Sequence, residues 1–327
     1  MKKIILSMAL LLTLAGTIPA QEQNKDVKYH FFVNDIPSGF DYPLVGIINK
    51  VNGDHASIQL GVINSTRGNF SGGQAGFVNA IGRNVKGIQY GFVNAIGGDL
   101  SGVQYGFVNA IGGKVYGVQT GFINATGNNL TGVQSGFINT AGKITGLQYG
   151  FLNSTHTLRG LQLGFINTAN NVEAGLPIGF LSFVKKGGYK AIELSYNDIY
   201  PLNIAFKTGV RFFYTYPVIS YNADAEDKLA IGYGAGSNID LCDFCFVNPE
   251  LQTLRVITED FVNYSTLKLN IGFTVGSRLE LLAGPEITWK VKINDEDYHH
   301  EYDSFDPDLF AENKLITGLN VAVRYKF

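Results

Sequence analysis

The sequence predicts an all-β protein. It reads as an N-terminal β-solenoid of about fifteen-residue repeats followed by a C-terminal antiparallel β-barrel of the outer-membrane type. Three observations carry this. A short phrase recurs at a fixed step through the first half of the chain. The second half alternates apolar and polar residues over segments near ten residues long. Glycine is abundant, at 40 of 327 residues, while only 16% of residues are charged.

The first twenty residues, MKKIILSMALLLTLAGTIPA, have a basic start, an apolar run and a small-residue end. They read as a secretory signal peptide cleaved near Ala20 and are set aside from the fold. Residues 21–45 form a lead-in. The repeat region runs over 46–184 and the barrel over 185–327. No later run is long and apolar enough for a membrane helix, but barrel strands carry a weaker signal and stay open.

In the repeat region the Asn of GFVN recurs at Asn49, Asn64, Asn79, Asn94, Asn109, Asn124, Asn139, Asn153 and Asn167, and Ser182 takes the next slot. A Gln stands five residues earlier, at Gln59, Gln74, Gln89, Gln104, Gln119, Gln134, Gln148 and Gln162. The unit is too short for a helix pair, and its β-branched and aromatic residues lie between Gly and Asn punctuation, which indicates strand. One unit cannot bury its own apolar side chains, whereas stacked units can. Stacking at about 4.8 Å sets like over like. Phe107-type and Val108-type residues are then expected to fill the core. The structural ladder of Gln74, Asn79, Gln89, Asn94, Gln104, Asn109, Gln119, Asn124, Gln134 and Asn139 would pair amides along the stack. Gly106-type residues would supply corners that a Cβ would obstruct. The variable slot before that Gly, which holds Tyr90, Tyr105 and Tyr149, reads as an outward face and a possible contact for a glycan.

An alternative is one large barrel that includes the repeats, because GVQYGFVNAIG is as long as a spanning strand. Against it, strict alternation would place Asn109 on the same face as Val103 and Phe107, and every connector would be short.

In the second half, LKLNIGFTVG (267–276), LELLAGPEITWKV (279–291) and LNVAVRYKF (319–327) alternate strictly. Similar segments lie near 189–197, 202–216, 228–241 and 244–257, and 176–184 is a candidate eighth strand. Eight strands enclose an interior filled by side chains. The inward set would be Glu193, Lys207, Arg211, Glu250, Lys268, Glu280, Glu286, Lys290, Arg324 and Lys326, whose mixed signs suit mutual pairing. Cys242 and Cys245 lack the βαβ setting of a redox pair and read as a local disulfide or an unpaired couple near a turn. The acidic connector 294–313 holds Asp295, Asp297, His299, His300 and Asp303. These are weak metal candidates that lack EF-hand spacing, so a solvated loop is the simpler reading.

Two resemblances follow from these motifs. GFVNAIGG at 91–98 and 106–113 and GFINTAG at 136–142 resemble the tandem GFxN words of bacterial envelope surface-repeat proteins, over about 140 residues. That implies an envelope or surface location and no established chemistry. The terminal strand with Tyr325 and Phe327 resembles the C-terminal signal that the barrel-insertion machinery reads. No nucleophile elbow, metal-ligand helix or phosphate loop is found, so no enzyme activity and no cofactor are expected. A net charge of −2 gives no basic patch for nucleic acid. The expected partners are outer-membrane lipid, the insertion machinery and a glycan or other surface partner. The expected role is a barrel that anchors a repeat module, with a porin-like channel built from repeats plus C-terminal strands as the alternative.

Overall fold

The computed structural model describes residues 30–258, 261–293 and 314–327. The leader reading and the metal candidates Asp295, Asp297, His299, His300 and Asp303 lie outside them. The chain divides into two units, Met1–Gly175 and Leu176–Phe327.

The first unit is a parallel β-solenoid. Each repeat pairs with the next in parallel and in register: Val85 with Leu100, Gln89 with Gln104, Asn94 with Asn109. Parallel pairing of neighbouring copies overturns the one-barrel alternative, which requires antiparallel neighbours. The stack also starts earlier than Gly46. Strand Val33–Ile36 pairs with Ile48–Val51 and sets Asn34 over Asn49. Phe32-Val33-Asn34 is therefore a further copy of the phrase, and in the Asn49 copy Leu44 fills the Gln slot beside Gln59.

The interior reverses part of the expectation. Val85, Leu100, Val115, Leu130, Ile144 and Leu158 form one buried apolar row, and Ile81, Ile96 and Ile111 form another. Between them run the Asn and Gln rows, fully buried. The Phe row lies outside: Phe92 is 45% and Phe107 44% exposed. Val93 and Val108 are only half-buried. The chain bends at Gly106–Phe107, so inward positions shift from Gln104 to Asn109 and the Phe is carried to the outer side of the corner.

Amides tolerate burial only when hydrogen-bonded, and here they are. Asn109 Nδ2 donates to Asn124 Oδ1 (2.9 Å) and to the Thr120 carbonyl (2.9 Å). Its own Oδ1 accepts from Asn94 (2.9 Å). The same relation links Asn34 through Asn49, Asn64 and onward to Asn167. The Gln chain runs the other way, with Gln104 Nε2 donating back to Gln89 Oε1 (2.7 Å) and Gln119 back to Gln104 (2.9 Å).

Glycine serves two distinct demands. A Cβ at Gly106 would meet the Gly91 carbonyl and the Asn94 amide, as the corner reading expects. The row Gly87, Gly102 and Gly117 has φ of 146–148°, where only glycine sits without strain.

In the second unit eight strands close an antiparallel barrel: Gly188–Tyr196, Leu202–Val210, Phe213–Tyr221, Leu229–Gly236, Cys245–Val256, Phe261–Val275, Leu279–Ile293 and Lys314–Lys326. The first and last pair, as do Leu229–Gly236 and Cys245–Val256. The eighth strand does not come from 176–184. The 202–216 segment breaks at a two-residue turn, Arg211–Phe212, and its second half joins Phe213–Tyr221. Residues 176–184 instead lie in strand Ile138–Lys186 and cover part of the barrel's outer wall. Ser182 N–H donates to Thr208 Oγ1 (3.0 Å), and the Thr215 hydroxyl donates to the Gly179 carbonyl (2.7 Å). The Cys242–Cys245 disulfide closes the turn before strand Cys245–Val256.

Two outcomes follow for the solenoid. Asn109→Leu leaves the Asn124 Oδ1 and Thr120 carbonyl without this donor and is expected to destabilise the unit by about 2–4 kcal/mol in a denaturant titration. His55 sits above Phe70 in the buried row, its Nδ1 against the Phe40 carbonyl (2.6 Å). Burial holds the His55 imidazole below its ordinary value, opposed by that hydrogen bond and by Asp41. The unfolded chain therefore binds this proton first. Stability is full above about pH 6.5 and falls as pH drops toward the folded value. His55→Phe is expected to remove the acid-dependent loss of amide protection across residues 48–60.

Candidate functional site

Two assemblies of side chains stand out, one inside the barrel and one on the solenoid surface. The barrel is polar within and apolar without. Ile192, Leu194, Ile204, Leu269, Ile271 and Val321 face outward, with Ile271 at 53% exposure. Their sequence neighbours Glu193, Asn203, Lys268, Asn270 and Asn320 are buried. Tyr196, Tyr221 and Trp289 mark one rim of the outer band, and Tyr325 and Phe327 the other.

The lumen is filled by a connected network. Lys207 pairs with Glu250 and with Glu193 (3.1 Å). Arg324 pairs with Glu193 and with Glu250 (2.6 Å), and also donates to Asn248 (2.7 Å). The Tyr214 and Tyr216 hydroxyls donate to Glu250 at 2.5 and 3.0 Å. The Lys207 ammonium lies 3.9 Å from the Tyr216 ring centre. Toward one rim Glu280 accepts from Tyr189 (2.8 Å) and Arg211 (3.0 Å) and forms an ion pair with Lys326 (3.2 Å). The other way, Asn320 donates to Asn270 (3.0 Å) and Asn270 to Asn248 (3.3 Å).

Of the sequence-derived inward set, Glu193, Lys207, Glu250, Lys268, Glu280, Glu286 and Arg324 are buried, while Arg211, Lys290 and Lys326 are only half-buried toward the rims. The tyrosines were missed. Their signal was present in IGYGAG, because Gly234 and Gly236 leave the space that the Tyr216 and Tyr214 rings occupy. Glu193, Lys207, Arg211, Glu250, Glu280, Arg324 and Lys326 are paired acid against base, and Lys268 donates to Gln252 (3.1 Å), which suits a plug rather than a reacting centre.

On the solenoid, rings of the Phe row from Phe77 to Phe137 stack at 4.9 Å with interplanar angles of 1–3°. The stack continues through Phe151 to Phe165 at 4.8 Å. Tyr90 and Tyr105 form a parallel row at 5.3 Å, and Tyr149 is exposed on the same row. Between the two rows runs a groove of about 810 Å³ floored by Gly76, Gly91, Gly106, Gly121 and Gly136. The Gln and Asn rows lie inside and do not reach it. Their side chains bond to one another, so they offer nothing to a ligand.

Among the described residues no group of His, Cys, Asp and Glu is placed to hold a metal. The terminal-strand residues are in contact: Tyr325 and Phe327 meet edge to face at 5.6 Å, and Arg278 donates to the Tyr325 hydroxyl (2.8 Å). Comparison with known protein families, curated proteins and solved structures finds no match.

Glu250 is the acceptor on which Lys207, Arg324, Tyr214 and Tyr216 converge. Glu250→Ala leaves buried cations short of a partner and is expected to cost roughly 3–5 kcal/mol. The readout is a lower temperature for loss of the compact, heat-modifiable band on a semi-native gel. The exposed Glu173, held below the usual carboxylate range by its Arg159 and Lys143 partners, is the contrasting surface case, and Glu173→Ala is expected to leave that temperature unchanged.

Proposed function

We propose that this chain is a non-enzymatic outer-membrane protein whose sealed eight-strand barrel anchors a β-solenoid that docks an envelope or surface ligand. The observation that supports it best is the inverted barrel: charge and amide inside, a predominantly apolar band outside. In water such a band would be a large exposed patch, whereas in a bilayer it meets its natural solvent. Strands of eight or nine residues on one side of the barrel are near the length that a tilted spanning strand needs.

The short turns at 211–212 and 276–278 lie at the same end as Gly188 and Phe327. In outer-membrane barrels short turns face the periplasm. On this reading the chain leading into Gly188 and the 237–244 connection are periplasmic, and the connections 197–201 and 222–228 are external.

The repeats pair in parallel outside any barrel wall, which removes the strands that a wide channel would need. The lumen network gives no support for conduction either. The test is electrical. Purified protein in planar bilayers is expected to show no sustained steps. Steady conductance of the size of a sixteen- to eighteen-strand pore would contradict the sealed-anchor reading, and recovery of the full chain outside the outer-membrane fraction of cells would contradict the location.

A further inference from the structure

We propose that the groove between the Phe and Tyr rows of the solenoid holds a single extended acyl chain of a lipid. The proposal rests on the membrane-anchored reading above, which places the protein among lipids, and it adds the chemistry of the ligand.

The groove lining carries no charge. Its polar side-chain groups are the Thr120, Ser135, Tyr90 and Tyr105 hydroxyls. The backbone of the floor is already occupied: Gly106 N–H donates to the Thr120 carbonyl (3.0 Å), Gly121 N–H to Ser135 (3.0 Å), and the Phe107 carbonyl accepts from Ile123 (2.9 Å). A peptide laid here would find no free edge to pair with, and its amides would go unsatisfied.

A glycan fares no better. Sugars stack on the faces of aromatic rings, but the faces of Phe92, Phe107 and Phe122 are covered by their neighbours at 4.9 Å. Tyr90 and Tyr105 cover one face of each other, and their remaining faces stand beside Ala75 and Thr120 of the adjoining coils. What both rows present to the groove is a strip of ring edges. An alkyl chain asks for nothing more, since it has no charge and no hydrogen-bonding group and gains by contact area alone. The course suits it too: four equal steps of 4.9 Å run straight from Phe77 to Phe137, roughly 20 Å of uniform apolar wall.

The experiment uses the full chain in intact cells, with the photoreactive p-benzoylphenylalanine placed at one of three positions: Tyr105 in the groove, Tyr116 on the exposed face beside it, or Ile271 on the outer band of the barrel. Adducts are identified by intact mass. Ile271 is expected to capture lipid, Tyr105 to capture one acyl lipid per chain, and Tyr116 to capture none. Phe107→Asp with Phe122→Asp places charge against the alkyl chain and is expected to lower capture at Tyr105 by about tenfold or more, with capture at Ile271 unchanged. Because both Phe side chains are exposed, this variant is expected to keep its β-type circular dichroism.

With lipid captured at Ile271, four results at Tyr105 overturn the acyl proposal while leaving the membrane reading intact. They are no adduct, a glycan or polypeptide adduct, an adduct of twice the chain mass showing a second copy, and lipid captured equally at Tyr116, which would mean a face resting on the bilayer. No lipid at Ile271 overturns the membrane reading itself, and the acyl proposal with it.

Discussion

The buried Asn chain is the interaction on which the rest of the solenoid depends. Each side-chain amide uses one N–H to reach the next Asn and the other to reach a backbone carbonyl eleven residues on, as Asn94 does with Asn109 and Tyr105. Both donors are spent, so a one-residue slip would leave an amide buried without partners. That is the physical reason for a strict step. Where the step shortens to fourteen, after Asn139, the Asn139–Asn153 bond keeps its 2.9 Å length, and the chain absorbs the lost residue in the connector. The Gln chain adds a second fixed rail. Its donors point toward the start of the stack while the Asn donors point toward the end, so the two rows of amide dipoles oppose one another inside a low-dielectric core.

With amides inside, the corner has to carry its aromatic residue outward. Polarity thus inverts twice in this protein, once in each unit. In the solenoid the core holds polar ladders beside aliphatic rows while phenylalanines line the surface. In the barrel the lumen holds Lys207, Glu193, Glu250 and Arg324 while leucines and isoleucines face out. The inversions have different causes. The first follows from stacking, which lets each polar group bond to its own copy. The second follows from closing a small barrel whose outer solvent is read as lipid.

Much of the architecture was legible. The fixed step identified the stack, strict alternation identified the barrel, and residues such as Glu193, Glu250 and Arg324 fell inside as their parity required. The location of Phe107 was not legible, because the strand-period rule assumes an unbroken strand and the bend at Gly106–Phe107 changes the parity. The first coil was hidden because Tyr29, not Gln, stands five residues before Asn34, although Phe32-Val33-Asn34 already matched the phrase. The break at Arg211–Phe212 was hidden because neither residue is a usual turn former. The groove could not be read from sequence, since it exists only once Tyr and Phe positions from neighbouring coils stand side by side.

A distance between spin labels at Lys86 and Thr131 tests vertical register most directly. These exposed positions are linked through Ser101 and Tyr116 by three successive parallel pairings. Coil-on-coil stacking places their backbones about 15 Å apart, at about 4.8 Å per coil. Antiparallel neighbours would send them to opposite ends of a spanning wall, beyond about 25 Å. The short distance is the predicted result, and the long one would contradict the stacked register and the amide chains built on it.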